Sequence, residues 1–398
     1  MTSTLFRGPL ITADRLIDDA LLAVDGETIA YAGPTDGPDA PSADGAREVH
    51  GYLMPGLIDV HCHGGGGASF PDATSLEDVR TAVAEHRRHG TTSLVASTVT
   101  ADGDTLLERT ALLRRACESG DLVGIHWEGP FISCERCGAQ DPNLIVAPDA
   151  DLTRRLCEVA GPYAFAMTLA PEKEGVTGVV DVLIEAGALP SFGHTDAGPE
   201  ETETAVAAAA TQLSAAGGAP SARASVTHLF NGMRALHHRD PGPIPALLAA
   251  AQRGELVVEL IADGAHVAPS LVRHTLELLG RDAVVFVTDA MAATGMADGT
   301  YRLGSMDVTV RDGTARLTNG DSIAGGTSHL LDQIRTMVGA GVALLDAVYV
   351  CTVGPARLLG RTDIGTLTSG ARADVLITDE NLQPITVLHG GANVAGVR

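Results

Sequence analysis

Eight short apolar runs alternating with helical stretches between residues 57 and 288, β-rich segments at both ends of the chain, and histidines and acids placed where the apolar runs stop predict an α/β fold. Eight βα repeats over about 240 residues favour a closed (β/α)8 barrel over an open sheet. The chain has 398 residues. At roughly 150 residues per domain that allows two or three domains, or one barrel of about 250 residues and a smaller unit.

Composition narrows the function. The 27 basic and 50 acidic residues leave a formal charge of −23, which argues against electrostatic adhesion to nucleic acid or anionic lipid. With 45% hydrophobic and 19% charged residues the chain can bury a large core, so disorder is excluded as its dominant state. Six cysteines (Cys62, Cys117, Cys134, Cys137, Cys157 and Cys351) are not a disulfide framework in a chain that buries enough surface without staples. The opening MTSTLFRGPLITADR lacks the apolar core of a signal peptide, and no run approaches the roughly 18 apolar residues that span a bilayer. A cytoplasmic location is expected.

Residues 4–50 hold short β-rich pieces with a turn at Asp25-Gly26, then a polar stretch from Gly33 to Gly45. The eight barrel strands are expected at Leu57 to Val60, Thr92 to Ala96, Leu122 to Ile125, Ala164 to Leu169, Leu189 to Phe192, Ala224 to Thr227, Leu256 to Ile261 and Val284 to Thr288. Between the first two, Leu76 to His89 reads as a helix, with Ser75 and Asp78 forming a capping box and Gly90 stopping the last turn. The Ala-rich run from Ala205 to Ala216 is an ordinary helix. After the eighth strand VTVRDGTARL predicts a hairpin turning at Asp312-Gly313. Two helices follow, Ser328 to Ala340 and Leu344 to Leu359. The tail from Ile364 returns to strands (ADVLITD, PITVLHG) that can pair with the N-terminal ones.

The chemistry gathers at strand ends. His61 and His63 follow strand one, Glu128 strand three, His194 strand five, His228 strand six and Asp289 strand eight. In a parallel barrel these positions converge on the mouth where such folds place their reactive groups. Four imidazoles and two carboxylates there form a metal site by inventory. His-x-His alone is weak, but alternate residues of a strand point to one side and can grip one ion. Such a cluster holds one or two divalent ions that lower the pKa of a water and polarise a carbonyl.

Two ions need a shared anionic ligand. The only lysine, Lys173, lies just beyond strand four and is a candidate for carboxylation; Glu128 is the better bridge because it needs no modification. Asp289 can bind an ion and take a proton from its water, passing it to a leaving nitrogen; the bland alternative is a helix cap. The run Gly64-Gly65-Gly66-Gly67 lets the backbone approach a ligand closely, and no lysine follows to make it a phosphate loop. Cys134-x-x-Cys137 has no second CxxC and is read as two loop thiols.

The motifs DVHCHGGGG, HWEGPFIS, GHTDA, THLFNGM, HHRDPG, IADGAHV and VTDAMAATG, in this order from about Pro55 to Gly365, resemble the N-acetylglucosamine-6-phosphate deacetylase family of the amidohydrolase superfamily. The resemblance implies a metal-dependent TIM-type (β/α)8 catalytic barrel over residues 53–360 and a small β-sandwich domain from residues 1–52 and 361–398. It also implies a homodimer. His61, His63, Glu128, His194 and His228 match its metal ligands, and Asp289 its catalytic aspartate. Because both first-strand histidines are present, a site for two ions, Zn²⁺ or Fe²⁺, is expected.

Asn231 and Gly232 match the segment that contacts the sugar phosphate, where the family more often has Ala at the second place. His266 and Arg239 match phosphate binders, the arginine reaching over from the neighbouring subunit. A fixed guanidinium suits a phosphate dianion in a chain so negative overall. The loop after EGPF, commonly KGAH in the family, reads Cys137-Gly138-Ala139-Gln140 here. Ala139 and Gln140 are expected at the substrate, with Gln140 offering the acetamide oxygen a neutral hydrogen bond in place of a histidine.

The implied reaction is hydrolysis of N-acetylglucosamine 6-phosphate to glucosamine 6-phosphate and acetate, with Asp289 as general base and acid. Competing readings are a galactosamine-epimer deacetylase, another amidase of the superfamily, or a catalytically silent barrel scaffold.

Overall fold

A computed structural model describes residues 4–216 and 221–397; residues 1–3 and 398, at the ends of the expected terminal β unit, lie outside the described residues. Eight parallel strands pair in chain order: β1 (Leu57–Cys62), β2 (Thr91–Thr98), β3 (Gly124–Glu128), β4 (Ala164–Leu169), β5 (Leu189–Phe192), β6 (Ala224–Val226), β7 (Leu256–Leu260) and β8 (Val284–Phe286). The segment after β8 returns to β1 and closes the ring. There Ala290 bridges Cys62, the Asp289 N–H donates to the His61 carbonyl at 2.9 Å, and the His63 N–H donates to the Ala290 carbonyl at 2.7 Å. The predicted α/β barrel is therefore the observed fold.

Strands buried on both faces read as apolar runs, and here one face meets the helices while the other fills the barrel. The first crossover helix, α1 (Leu76–Arg88), starts where the capping box places it: Ser75 Oγ accepts the Asp78 N–H at 3.2 Å and Asp78 Oδ2 accepts the Ser75 N–H at 2.9 Å. From α1 the buried His86 Nε2 reaches the Gly64 carbonyl at 2.9 Å, tying the glycine run to the helix. A Cβ on Gly65 would stand 2.9 Å from that same nitrogen, so the close approach needs glycine there.

Three expectations change. Strand three runs Gly124–Glu128 and not from Leu122, because the polar letters of HWE face the barrel interior and mouth, while Trp127 turns outward and donates its indole N–H to Thr110 Oγ1 at 2.9 Å. The helix expected over Leu344 to Leu359 is two helices, Leu344–Tyr349 and Val353–Leu358. Pro355 has no N–H to continue the first helix, and the carbonyls freed at the break serve the barrel: Cys351 O accepts from Ile58 at 2.8 Å and Val350 O from Phe286 at 3.1 Å. The hairpin turns at Asp312 and Gly313, both at positive φ, but gains a third strand, so Gly299–Leu303, Met306–Arg311 and Thr314–Leu317 form a sheet whose apolar face packs on Val99 and Met291 beside the mouth.

The chain ends meet in a second sheet. Tyr52–Pro55 pairs with both Thr4–Ile11 and Val375–Thr378, and strands from both termini extend it around a core of Phe6, Leu22, Leu53, Val375 and Leu388. Among the described residues no helix is long and apolar enough to cross a membrane.

Ser75→Ala is expected to remove one capping acceptor and cost about 1 kcal/mol. The urea midpoint of the purified variant checks this; an unchanged midpoint would mean that tertiary packing alone sets the start of α1.

Candidate metal centre and active site

Polar side chains in or just past the barrel strands meet in the interior, and together these build a floor. Ser97 of β2 bonds His126 Nδ1 of β3 at 2.9 Å, and His126 Nε2 meets Thr168 Oγ1 of β4 at 2.8 Å. Thr168 contacts Thr227, just past β6, at 2.7 Å, and Ser191 of β5 meets the same hydroxyl at 2.6 Å. Asp59 of β1 accepts the Thr288 hydroxyl at 2.5 Å. Burial raises the Asp59 carboxyl to about 7, against the pull of Thr288 and the His61 N–H. Such buried polar groups are tolerable because each finds a partner.

On this floor the six predicted residues converge. Glu128, ending β3, is the hub: Oε1 lies 3.0 Å from His194 Nε2 and 2.8 Å from His228 Nε2, and Oε2 lies 3.1 Å from His63 Nε2. Asp289 Oδ1 lies 3.1 Å from His63 Nε2 and 3.4 Å from His61 Nε2. His61, His63 and Asp289 form one trio with ligand atoms in mutual reach, and Glu128, His194 and His228 form a second. His61 is the last but one residue of β1 rather than beyond it, so the strand holds it rigidly.

Three of the four rings are anchored through Nδ1, while His228 Nδ1 is buried without a partner. His63 Nδ1 reaches the Ser97 carbonyl at 3.2 Å, His194 Nδ1 the Arg136 carbonyl at 2.7 Å and His61 Nδ1 the Glu259 carboxylate at 3.0 Å. His194, His228 and Asp289 all sit at positive φ (46°, 29° and 49°), which non-glycine residues adopt at a cost and keep only where surroundings enforce it. Part of the enforcement is visible: the Ser133 N–H donates to the His194 carbonyl at 2.8 Å, Arg136 pairs with Asp196 at 2.7 Å, and Glu172 accepts from Thr195 and Asp196 at 2.6 and 2.8 Å.

Charge explains what the cluster wants. Burial alone would lower the His61 imidazolium, yet the Glu259 hydrogen bond and the Asp289, Glu259 and Glu128 charges hold it at about 9. His63 is likewise lifted to about 10 by Asp289 and Glu128, and His194 is raised by Glu128. Burial raises the carboxylates, but His194, His228 and His63 bring Glu128 well below its usual range, and His63 and His61 bring Asp289 to about 2. The carboxylates thus demand positive charge in this volume. His61 Nε2 and His63 Nε2 face one another at 3.2 Å, and with the ring protons gone their two lone pairs would meet at one place, which a shared cation relieves. Imidazole and carboxylate donors in this set suit Zn²⁺ or Fe²⁺.

The mouth is a cavity of about 310 Å³ lined by both trios except His61, by the substrate candidates Ala139, Gln140, Asn231, Gly232 and His266, and also by Phe230, Leu303 and Ile323. His266 is oriented by Asp263, with Nδ1 to Oδ2 at 2.7 Å. Gln140 gives one amide N–H to Glu128 Oε2 at 2.5 Å, and its oxygen accepts the Thr100 N–H at 2.7 Å. Neither Arg239 nor Lys173 lines this cavity; Arg239 is exposed beside His238, and Lys173 sits in a turn closed on the Ala170 carbonyl. All six cysteines are free, with Cys134 exposed and Cys137 half-buried. Sequence reasoning missed Glu259, Asp59 and His126. Their signal was a charged or basic letter inside an otherwise apolar strand, as in LVVEL.

The sequence profile of the amidohydrolase family matches residues 52–397. A protein of Lysinibacillus sphaericus named N-acetylglucosamine-6-phosphate deacetylase is 35% identical over 353 residues, 85% of each chain. One of Escherichia coli O157:H7 named N-acetylgalactosamine-6-phosphate deacetylase is 31% identical over 96% of each chain. The crystal structure of N-acetyl-D-glucosamine-6-phosphate deacetylase from Mycobacterium smegmatis superposes with a TM-score of 0.89 at 36% identity, covering 98% of this chain and all of that one.

Gly232 is at φ 59°, and a Cβ there would stand 2.8 Å from His194 Nδ1, whose hydrogen bond to Arg136 prevents it from yielding freely. Gly232→Ala is therefore expected to cost about 1–2 kcal/mol for the left-handed backbone and to loosen His194. Thermal unfolding and metal content measured together check this; wild-type values of both would show that the loop absorbs the methyl.

Proposed function

The chain belongs to the amidohydrolase family, and on that premise we propose that it hydrolyses the amide of N-acetylglucosamine 6-phosphate to glucosamine 6-phosphate and acetate. The observation that carries the reading is the meeting of four imidazoles and two carboxylates, from the ends of five strands, at the barrel mouth, where all but His61 line one cavity. The family is generally dependent on divalent metal ions, and the donor set fits. His61, His63 and Asp289 are assigned to one ion and Glu128, His194 and His228 to a second, with Glu128 between them. When bound, such ions lower the pKa of a water and polarise the amide carbonyl.

The chain's own groups do the remaining work. Asp289 lines the cavity with its carboxylate beside His63, in position to accept the proton of the attacking water and return it to the amide nitrogen as the carbon–nitrogen bond breaks. Gln140 keeps one amide N–H after its bond to Glu128, and that donor is assigned to the acyl oxygen, where negative charge develops. Asn231, Gly232 and the Asp263-oriented His266 are assigned to the phosphate end, with Ala139 at the sugar. Arg239 does not line this chain's own cavity, so it is assigned to the mouth of a second copy of the chain in a homodimer. The relative that carries a galactosamine name favours testing both epimers.

Asp289→Asn is expected to lower kcat by about 10²–10⁴-fold while most of the metal remains. Stopped acetate-release assays with parallel metal analysis check it, and near wild-type turnover would remove Asp289 from proton transfer. Arg239→Ala is expected to raise KM about 10–100-fold for the phosphorylated sugar, the worth of a charge-assisted hydrogen bond or two, and to leave an unphosphorylated sugar unaffected. Equal effects on both substrates would reject the phosphate assignment.

A further inference from the structure

We infer that Glu259 is a positioning residue for the metal centre, holding the His61 imidazole of one ligand trio and the His228 backbone of the other, and thereby setting the affinity for the ion on the His61 side. The inference rests on the two-ion reading above.

Strand β7 supplies none of the six assigned ligands, yet it carries a carboxylate that is only 2% exposed, between Val258 and Leu260. Nothing in the packing of an apolar strand calls for an acid there, and burying one is unfavourable unless it is well partnered. Among the described residues no arginine or lysine pairs with it; its only ionic partner is His61. Glu259 Oε2 accepts from His61 Nδ1 at 3.0 Å and from the backbone N–H of His228 at 3.2 Å. Its own carbonyl accepts the Leu229 N–H at 2.8 Å.

Each contact has a consequence. A proton on His61 Nδ1, shared with the carboxylate, leaves the lone pair on Nε2, the atom that faces His63, Asp289 and Glu128 at 3.2, 3.4 and 3.7 Å. A carboxylate behind an imidazole fixes its tautomer and raises its basicity as a ligand. His63 and His194 have carbonyl anchors of their own, so His61 is the ring that depends on Glu259. The bond to the His228 N–H helps hold a backbone at φ 29°, but the main-chain bond from Leu229 to the Glu259 carbonyl survives substitution, so the ion on the His61 side is the one expected to weaken.

The test is Zn²⁺ titration of metal-stripped wild type, Glu259→Gln and Glu259→Leu by calorimetry, with bound zinc counted by elemental analysis. Wild type is expected to take two equivalents. Glu259→Leu is expected to take one. Glu259→Gln, which keeps an acceptor of the same shape, is expected to take two, with the weaker one loosened about 10–100-fold. A merely structural role would lower the thermal midpoint and weaken both ions together, so selective loss of one ion at a preserved midpoint supports the inference. Wild-type affinities for both ions in Glu259→Gln overturn it, and that variant decides if Glu259→Leu does not fold. His61→Asn separates the two readings: a wild type that takes one equivalent, unchanged by His61→Asn, overturns the two-ion reading and this inference together. Two equivalents in wild type, one in His61→Asn and two undiminished in both Glu259 variants overturn this inference alone.

Discussion

Placing Glu128 among four imbedded imidazoles is the constraint on which the mouth of the barrel depends. A carboxylate taken from water into a protein interior loses solvation that only close positive charge and good hydrogen bonds can replace. Glu128 finds both, with three ring nitrogens at 2.8–3.1 Å. Asp289 and Glu259 repeat the arrangement at the edges, each leaning on His61 or His63. The cluster is therefore held by mutual need: removing any one member leaves its neighbours buried and underpaired. A divalent cation resolves the same imbalance with more charge in less space.

The scaffold divides the labour. The barrel interior supplies a floor in two bonded sets, a chain from Ser97 through His126, Thr168 and Thr227 to Ser191, and the pair Asp59 and Thr288. Above it, loops carry three of the ligands in conformations the backbone would not choose: His194, His228 and Asp289 at positive φ are kept there by hydrogen bonds from other loops and from strand residues. Rigid strands below and cross-braced loops above are how a barrel brings groups from distant parts of the chain into fixed register. The hairpin after β8 adds the apolar wall, since Leu303 belongs both to its small core and to the cavity lining.

Much of this was legible in the order of residues. The βα alternation, the capping box at Ser75, the turn at Asp312-Gly313 and the strand-end positions of the six ligand candidates are local patterns, and local patterns reflect local energetics: helix capping, turn geometry and the periodicity of apolar faces. Where the reading went astray, long-range partners had overridden the local preference. Strand three slid toward its polar letters because those side chains had the barrel interior to enter. The helix before Leu359 broke between Tyr349 and Val353, ahead of Pro355, and the carbonyls so released were claimed by β1 and β8.

The sequence by itself determined the fold class, the supply of ligands and their place at strand ends, because periodicity and residue chemistry are written along the chain. Only the tertiary structure decided which groups touch. That Gln140 is engaged by Glu128, that Arg239 lies away from its own cavity, and that Glu259 stands behind His61 across 198 positions of sequence are facts of closure of the barrel. Contact between residues so far apart depends on strand register and on the angle at which the ring closes, and neither quantity leaves a mark in any short stretch of residues.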